Sequence, residues 1–222
     1  MSSRMYYLTD VDLTWRPSDY SVRNIVRGLK QKPFNGYSEF RVGGAVRRYN
    51  QANIEQFMPP LMQGVGHRIG TQLQQREVAV VPIPGSTMSL GAPGTFRIVD
   101  LATLFARGYG AHASVVPAIR WDAPREKAHR QNEVRSPDLY QPHMRLTEQR
   151  PTKPVLLFDD VLTSGSQMIA ATRFLREAGL EVIGGCVVAR ATKTQHEKMI
   201  DWITHDLPIE RETIDWDRIF EE

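Results

Sequence analysis

From Val78 onward the sequence alternates short unbroken apolar runs with amphipathic stretches, a rhythm that few architectures tolerate. Val78-Ala-Val-Val-Pro-Ile83 has no polar alternation and is bounded by turn residues. That is the pattern of a strand buried on both faces of a parallel sheet. Glycine- and serine-rich residues 85–95 follow, then a helix expected over Phe96–Arg107. Its inward stripe is Ile98, Leu101, Ala102 and Phe105, and Gly108 is expected to end it. Ala113–Ile119 and Pro154–Phe158 read as further strands. A helix from Ser166 to Ala178 is closed by Gly179, and Val182–Ala189 makes a fourth strand. The tail from Lys193 reads as helical and then extended, with Trp202 and Trp216 as anchors. The expected fold class is therefore α/β, an open parallel sheet of about five strands flanked by helices, with right-handed crossovers.

The first 75 or so residues have a different texture and predict a small, mainly helical segment. Tyr20, Val22, Ile25, Val26 and Leu29 recur at helical spacing, as do Leu61, Val65, Ile69 and Leu73 behind Pro59-Pro60. Phe34–Gly44 reads as a loop or short hairpin. The division expected is an accessory segment over residues 1–76 and an α/β core with a C-terminal extension over residues 77–222. Residues 122–150 are almost entirely polar, and a loop of that length in a small domain is usually functional or disordered.

Composition excludes several classes. The formal charge of +3 favours anionic ligands only weakly and does not by itself point to nucleic acid. With Cys186 as the only cysteine, neither an intrachain disulfide nor a cysteine zinc site can form. Lying in an apolar run, it reads as a buried, inert thiol of a reducing, cytoplasmic setting. No apolar stretch approaches membrane-spanning length, so no membrane partner is expected. The histidines lack metal-binding spacing, and neither the P-loop nor the dinucleotide glycine pattern occurs.

The most unusual residues fall where open α/β sheets bind ligands, beyond the carboxyl ends of the strands. Val155-Leu-Leu-Phe-Asp-Asp-Val-Leu-Thr-Ser-Gly-Ser166 reads as strand, acidic pair, small-residue loop and helix start. Adjacent carboxylates repel unless something bridges them, and the vicinal hydroxyls of a ribose suit Asp159 and Asp160. Thr163, Ser164, Gly165 and Ser166 offer hydroxyls and close amides at a helix N-terminus, a site for a phosphate. Together they match the two ends of a ribose phosphate. The plain alternative is an acidic strand end with an ordinary helix cap.

This stretch, Val155 to Met168, resembles the phosphoribosyl pyrophosphate motif of type I phosphoribosyltransferases. The resemblance extends more weakly over Val78 to Ala191. There Val81-Pro-Ile-Pro84, Gly94-Thr-Phe-Arg-Ile-Val-Asp-Leu-Ala102 and the Arg120…Gln131 spacing are similar to the competence protein F-like branch. The sequence departs from the family at Gln167, where a second hydroxyl residue is usual. The resemblance implies phosphoribosyl transfer from phosphoribosyl pyrophosphate to a base acceptor with release of pyrophosphate. Asp159 and Asp160 would hold the ribose diol, residues Thr163, Ser164, Gly165, Ser166 and Gln167 the 5′-phosphate. Pro84-Gly85-Ser86-Thr87 would be the pyrophosphate loop, although it carries no basic residue. Residues 122–150 would be a closing catalytic loop, with Arg125, Lys127, His129 and Arg130 as candidate cations; a solvated surface loop is the plain alternative. Asp160 could also accept a proton from the base. Magnesium would enter with the substrate, with no ligand assigned to the protein. Residues 1–75 would form a hood over the base, and a homodimer would be in keeping with the family. The alternative implied by the same fold is a non-catalytic sensor of phosphoribosyl pyrophosphate, or a DNA-processing accessory, with a nucleic-acid or protein partner.

Overall fold

The computed structural model describes residues 1–125 and 136–210. In chain order the elements are β1 (Ser2–Leu8), α1 (Pro17–Leu29), β2 (Tyr37–Val42), β3 (Ala45–Asn50), α2 (Met58–Gln72) and β4 (Val78–Pro82). Then come α3 (Arg97–Tyr109), β5 (Ala113–Val115), β6 (Ile119–Trp121), β7 (Met144–Leu146), β8 (Val155–Leu162), α4 (Ser166–Glu177), β9 (Val182–Thr192) and β10 (Ile200–Thr204).

The fold is mixed α/β, built on a mostly parallel sheet ordered β10-β1-β9-β8-β4-β5. Only the β1–β10 pairing is antiparallel. Every residue of β4 is buried, as its unbroken apolar run requires. The sheet has six strands rather than about five, because β1 and β10 come from stretches read as something else. β1 belongs to the central sheet, between β9 and β10, so the division expected at residue 76 does not follow the sheet. The segment 193–210 contributes β10 and no helix. Trp202 on β10 lies under the guanidinium groups of Arg4 and Arg68, at 5.6 and 6.0 Å; Trp216 lies outside the described residues.

Between β1 and β4 the chain forms the expected pair of helices, with a hairpin between them. Val22, Ile25, Val26 and Leu29 of α1 are buried, whereas Tyr20, read as part of the same face, is 49% exposed. The β2–β3 hairpin turns at Gly43 and Gly44, both at positive φ (59° and 83°), as a tight two-residue turn demands. Its inner face sets Phe40 stacked and Tyr49 tilted against Phe57, with ring centroids 4.5 and 4.9 Å from it.

α3 runs two residues past the expected end. Gly108 lies inside it because α2 crosses there: a Cβ on Gly108 would stand 2.1 Å from the Gln63 carbonyl oxygen. Gly66 of α2 is its counterpart, 2.0 Å from the Phe105 carbonyl oxygen by the same measure. Glycine at both positions lets the two backbones touch. The strand expected over Ala113–Ile119 is broken at Pro117, which has no N–H for a ladder and restricts its predecessor. β5 stays in the main sheet, while β6 leaves it to pair antiparallel with β7. The polar segment 122–150 is thus not wholly irregular, since Met144–Leu146 returns as β7 and Tyr140 and Met144 are buried. Cys186 is fully buried in β9, which pushes its thiol up to about 12. Among the described residues no helix is long and apolar enough to cross a membrane.

Candidate active site

β4 and β8 pair from Ala79–Val155 to Pro82–Phe158, and there β4 ends. β8 continues to Leu162 along β9 alone. Asp159 to Leu162 therefore project past β4 with one edge free of it, and a cavity of about 530 Å³ opens at this step. Its walls are the 84–87 turn, the stretch Asp159–Met168, residues 29–32 from the end of α1, the start of α3, and Trp121, Arg125, Leu139 and Tyr140.

The acidic pair sits half-buried on the wall. The Asp160 amide donates to Asp159 Oδ1 at 2.8 Å. Burial, and then the adjacent Asp160 charge, push the Asp159 carboxyl up to about 8. Lys30, just beyond α1, donates from Nζ to Asp160 Oδ1 at 3.1 Å. Burial works against the Lys30 charge, but Asp160 and Asp159 outweigh it and hold the ammonium above its ordinary value.

After β8, Thr163-Ser-Gly165 turns directly into α4. Gly165 adopts φ 81°, and a Cβ there would stand 3.2 Å from Leu207 Cδ2. The Ser164 and Ser166 hydroxyls are 3.0 Å apart. No acidic residue occupies the first turn of α4, and the positive end of its dipole faces the cavity.

The turn after β4 is fastened differently. Trp121 Nε1 donates to the carbonyl oxygens of Pro84 and Gly85, at 3.1 and 3.0 Å. The Arg125 amide donates to the Ser86 carbonyl at 2.8 Å. The Arg125 guanidinium lies over the Trp121 and Tyr140 rings, 5.1 and 5.4 Å from their centroids.

A phosphoribosyl transferase domain model matches residues 101–220, more than half of the 222-residue chain. The chain belongs to the phosphoribosyl transferase family. The match is to the domain family as a whole and singles out no branch of it. A comparison with curated protein sequences finds no match. Among solved structures, adenine phosphoribosyltransferase from Saccharomyces cerevisiae is similar at 11% identity and a TM-score of 0.40, over 76% of this chain and 89% of that one. Orotate phosphoribosyltransferase from Aeropyrum pernix is similar at 18% identity and a TM-score of 0.37, over 75% and 81%. Hypoxanthine phosphoribosyltransferase from Staphylococcus aureus follows at 14% identity and 0.34, over 63% and 72%.

Of the residues singled out in the sequence, the structure brings Gly85, Ser86, Thr87, Arg125, Asp159, Asp160, Thr163, Ser164, Gly165, Ser166 and Gln167 to one cavity of this phosphoribosyl transferase domain. Lys127, His129 and Arg130 lie outside the described residues. Arg145, another cation of the polar 122–150 segment, pairs with Asp122 at 3.2 Å and does not line this cavity. The sequence reading missed Lys30, Lys32 and Arg97, which give the cavity cations from outside residues 122–150. Arg97 is held by Glu55 at 2.9 Å and by the Leu29 carbonyl at 3.3 Å. Lysines beside helix ends are common, so nothing local marked Lys30. Trp121 was missed too, since a tryptophan in an apolar stretch reads as core.

Proposed function

We propose that this chain transfers the phosphoribosyl group of phosphoribosyl pyrophosphate to a nitrogenous base and releases pyrophosphate. One observation carries the reading: an acidic pair and a helix-capped hydroxyl loop, at opposite ends of Asp159–Met168, line one cavity together with a second loop suited to an anion.

In this reading the 5′-phosphate rests on residues Ser164 to Met168, where the amides of α4 and the serine hydroxyls converge. The ribose diol meets Asp159 and Asp160. With its carboxyl pushed up to about 8, Asp159 holds a proton near neutral pH and so donates to one hydroxyl, while Asp160 accepts from the other. The base nitrogen uses its lone pair to form the new bond at the anomeric carbon, and the bond from that carbon to pyrophosphate breaks. Charge develops on the ring as in glycoside chemistry. Arg125, fixed over two rings, faces the negative charge on the leaving group. Asp160 is placed to accept the proton that the base gives up.

Magnesium, arriving with the substrate, would supply further charge neutralisation to the leaving group. The residues fit a substrate-borne ion better than a protein-held one. Asp160 is already engaged by Lys30, and no group of three His, Cys, Asp or Glu among the described residues is gathered to hold a metal. A non-catalytic sensor is the second reading, favoured by Gln167 standing in the phosphate loop where the family has a hydroxyl.

The test is calorimetric titration of phosphoribosyl pyrophosphate with magnesium into wild type and the Asp159→Asn/Asp160→Asn variant, followed by pyrophosphate release across a panel of bases. Binding that the double variant loses by about 100-fold or more supports the site. Release that requires a base supports the transferase; binding without release under every base supports the sensor. A folded wild type that does not bind overturns both.

A further inference from the structure

The 84–87 turn carries no basic side chain, yet its backbone is arranged as an anion site. All four of its carbonyl oxygens are engaged by the protein. Pro84 and Gly85 accept from the Trp121 indole, Gly85 also from the Met88 amide, Ser86 from the Arg125 amide and Thr87 from the Ser89 amide. The amides of Gly85, Ser86 and Thr87 make no hydrogen bond to the described residues. The peptides are trans, so each N–H points opposite to the carbonyl of its own peptide unit. Drawing the Pro84 and Gly85 carbonyls onto the indole therefore turns the Gly85 and Ser86 N–H groups away from it. Trp121 is fully buried, and the turn lines the cavity. Successive unpaired N–H groups in such a turn form a concavity for an anion.

We infer that Trp121 is a positioning residue: one indole N–H, shared between the Pro84 and Gly85 carbonyls, orients the turn's amides toward the pyrophosphate group of the substrate. The ring has a second task in the same place. Its face carries the Arg125 guanidinium, and so supplies the cation that the turn lacks. Both effects act before any ligand arrives, which spares the site the cost of reorganising around the leaving group. The inference rests on reading the cavity as a phosphoribosyl pyrophosphate site.

The experiment measures two half-ligands separately on the full chain: inorganic pyrophosphate with magnesium, and ribose 5-phosphate. Trp121→Phe keeps a buried ring and removes the N–H. As a second variant, 3-benzothienylalanine at position 121 keeps the bicyclic shape and replaces only the N–H by sulfur, should phenylalanine disturb folding. Both should weaken pyrophosphate about tenfold, the scale of one or two hydrogen bonds, and leave ribose 5-phosphate within about twofold. A merely structural tryptophan would weaken both ligands together. Equal loss, or no loss in a folded variant, overturns the inference. If wild type binds ribose 5-phosphate but not pyrophosphate, this inference fails while the sugar-phosphate site stands. If it binds neither, the proposed function fails with it.

Discussion

The loops after β4 and β8 lie side by side at the same end of the sheet, and they are held in shape by opposite means. The β8 loop passes through three residues into α4, so its geometry follows from its own sequence: a left-handed glycine, two serines and a helix end. The β4 loop has no helix immediately behind it, since α3 begins only at Arg97. Besides the Met88 and Ser89 amides close by, its carbonyls are held by Trp121, 37 residues away from Pro84, and by the Arg125 amide. One loop is a local motif and the other is a tertiary construction. A substitution should therefore act locally in the first and at a distance in the second.

The sharpest break in that comparison is at the glycines. Gly165→Ala forces an L-residue to φ 81° and sets a methyl 3.2 Å from Leu207. It should cost about 1–3 kcal/mol in denaturant unfolding and abolish ribose 5-phosphate binding. Wild-type behaviour in both would show that the left-handed turn does not shape the loop.

The next effect is a pH signature of Asp159, on the part of β8 that leads into its loop. Its carboxyl is pushed up to about 8 in the folded protein, against an ordinary value near 3.8. Between those values the folded chain keeps a proton that the unfolded chain has lost, so wild-type stability falls as pH rises through the window. Asp159→Asn removes the linkage. The variant should match wild type near pH 4 and exceed it by about 1 kcal/mol or more near pH 8, read from thermal unfolding across the range. A constant difference at all pH values would count against a carboxyl that keeps its proton in the folded chain.

The smallest effect belongs to Gly85→Ala. A Cβ there meets nothing within 4 Å, and the residue is not at positive φ. Stability should stay within about 0.5 kcal/mol of wild type. Pyrophosphate affinity should nonetheless fall a few-fold, because the methyl crowds the space above the amides. A large loss of stability would mean that the β4 loop depends on its own glycine after all.

The same contrast explains what the sequence discloses. β4, α3, β8, α4 and β9 are legible because their signals are local: unbroken apolar runs, a helical stripe, a glycine beyond a helix end. Asp159, Asp160 and Ser164–Ser166 are legible because strand, carboxylates, loop and helix follow one another without interruption. β1 escapes because Ser2–Leu8 is half-polar, and its partners β9 and β10 lie at the far end of the chain. Lys30 escapes because only the packing of α1 beside β8 shows what it reaches. Trp121 escapes because a buried indole advertises apolar area, and the direction of its N–H appears only in three dimensions.

The place of β1 also sets an order of events during synthesis. Ser2 pairs with Cys186 on one side and with Thr204 on the other. A ribosome thus delivers this strand long before either neighbour exists. By the time β8 has emerged, β5, β4 and β8 can associate, but β1 must wait with both edges bare. The nascent chain therefore carries β1 unpaired until β9 is made, and that interval is when a chaperone or a neighbouring copy would find this strand open to bind.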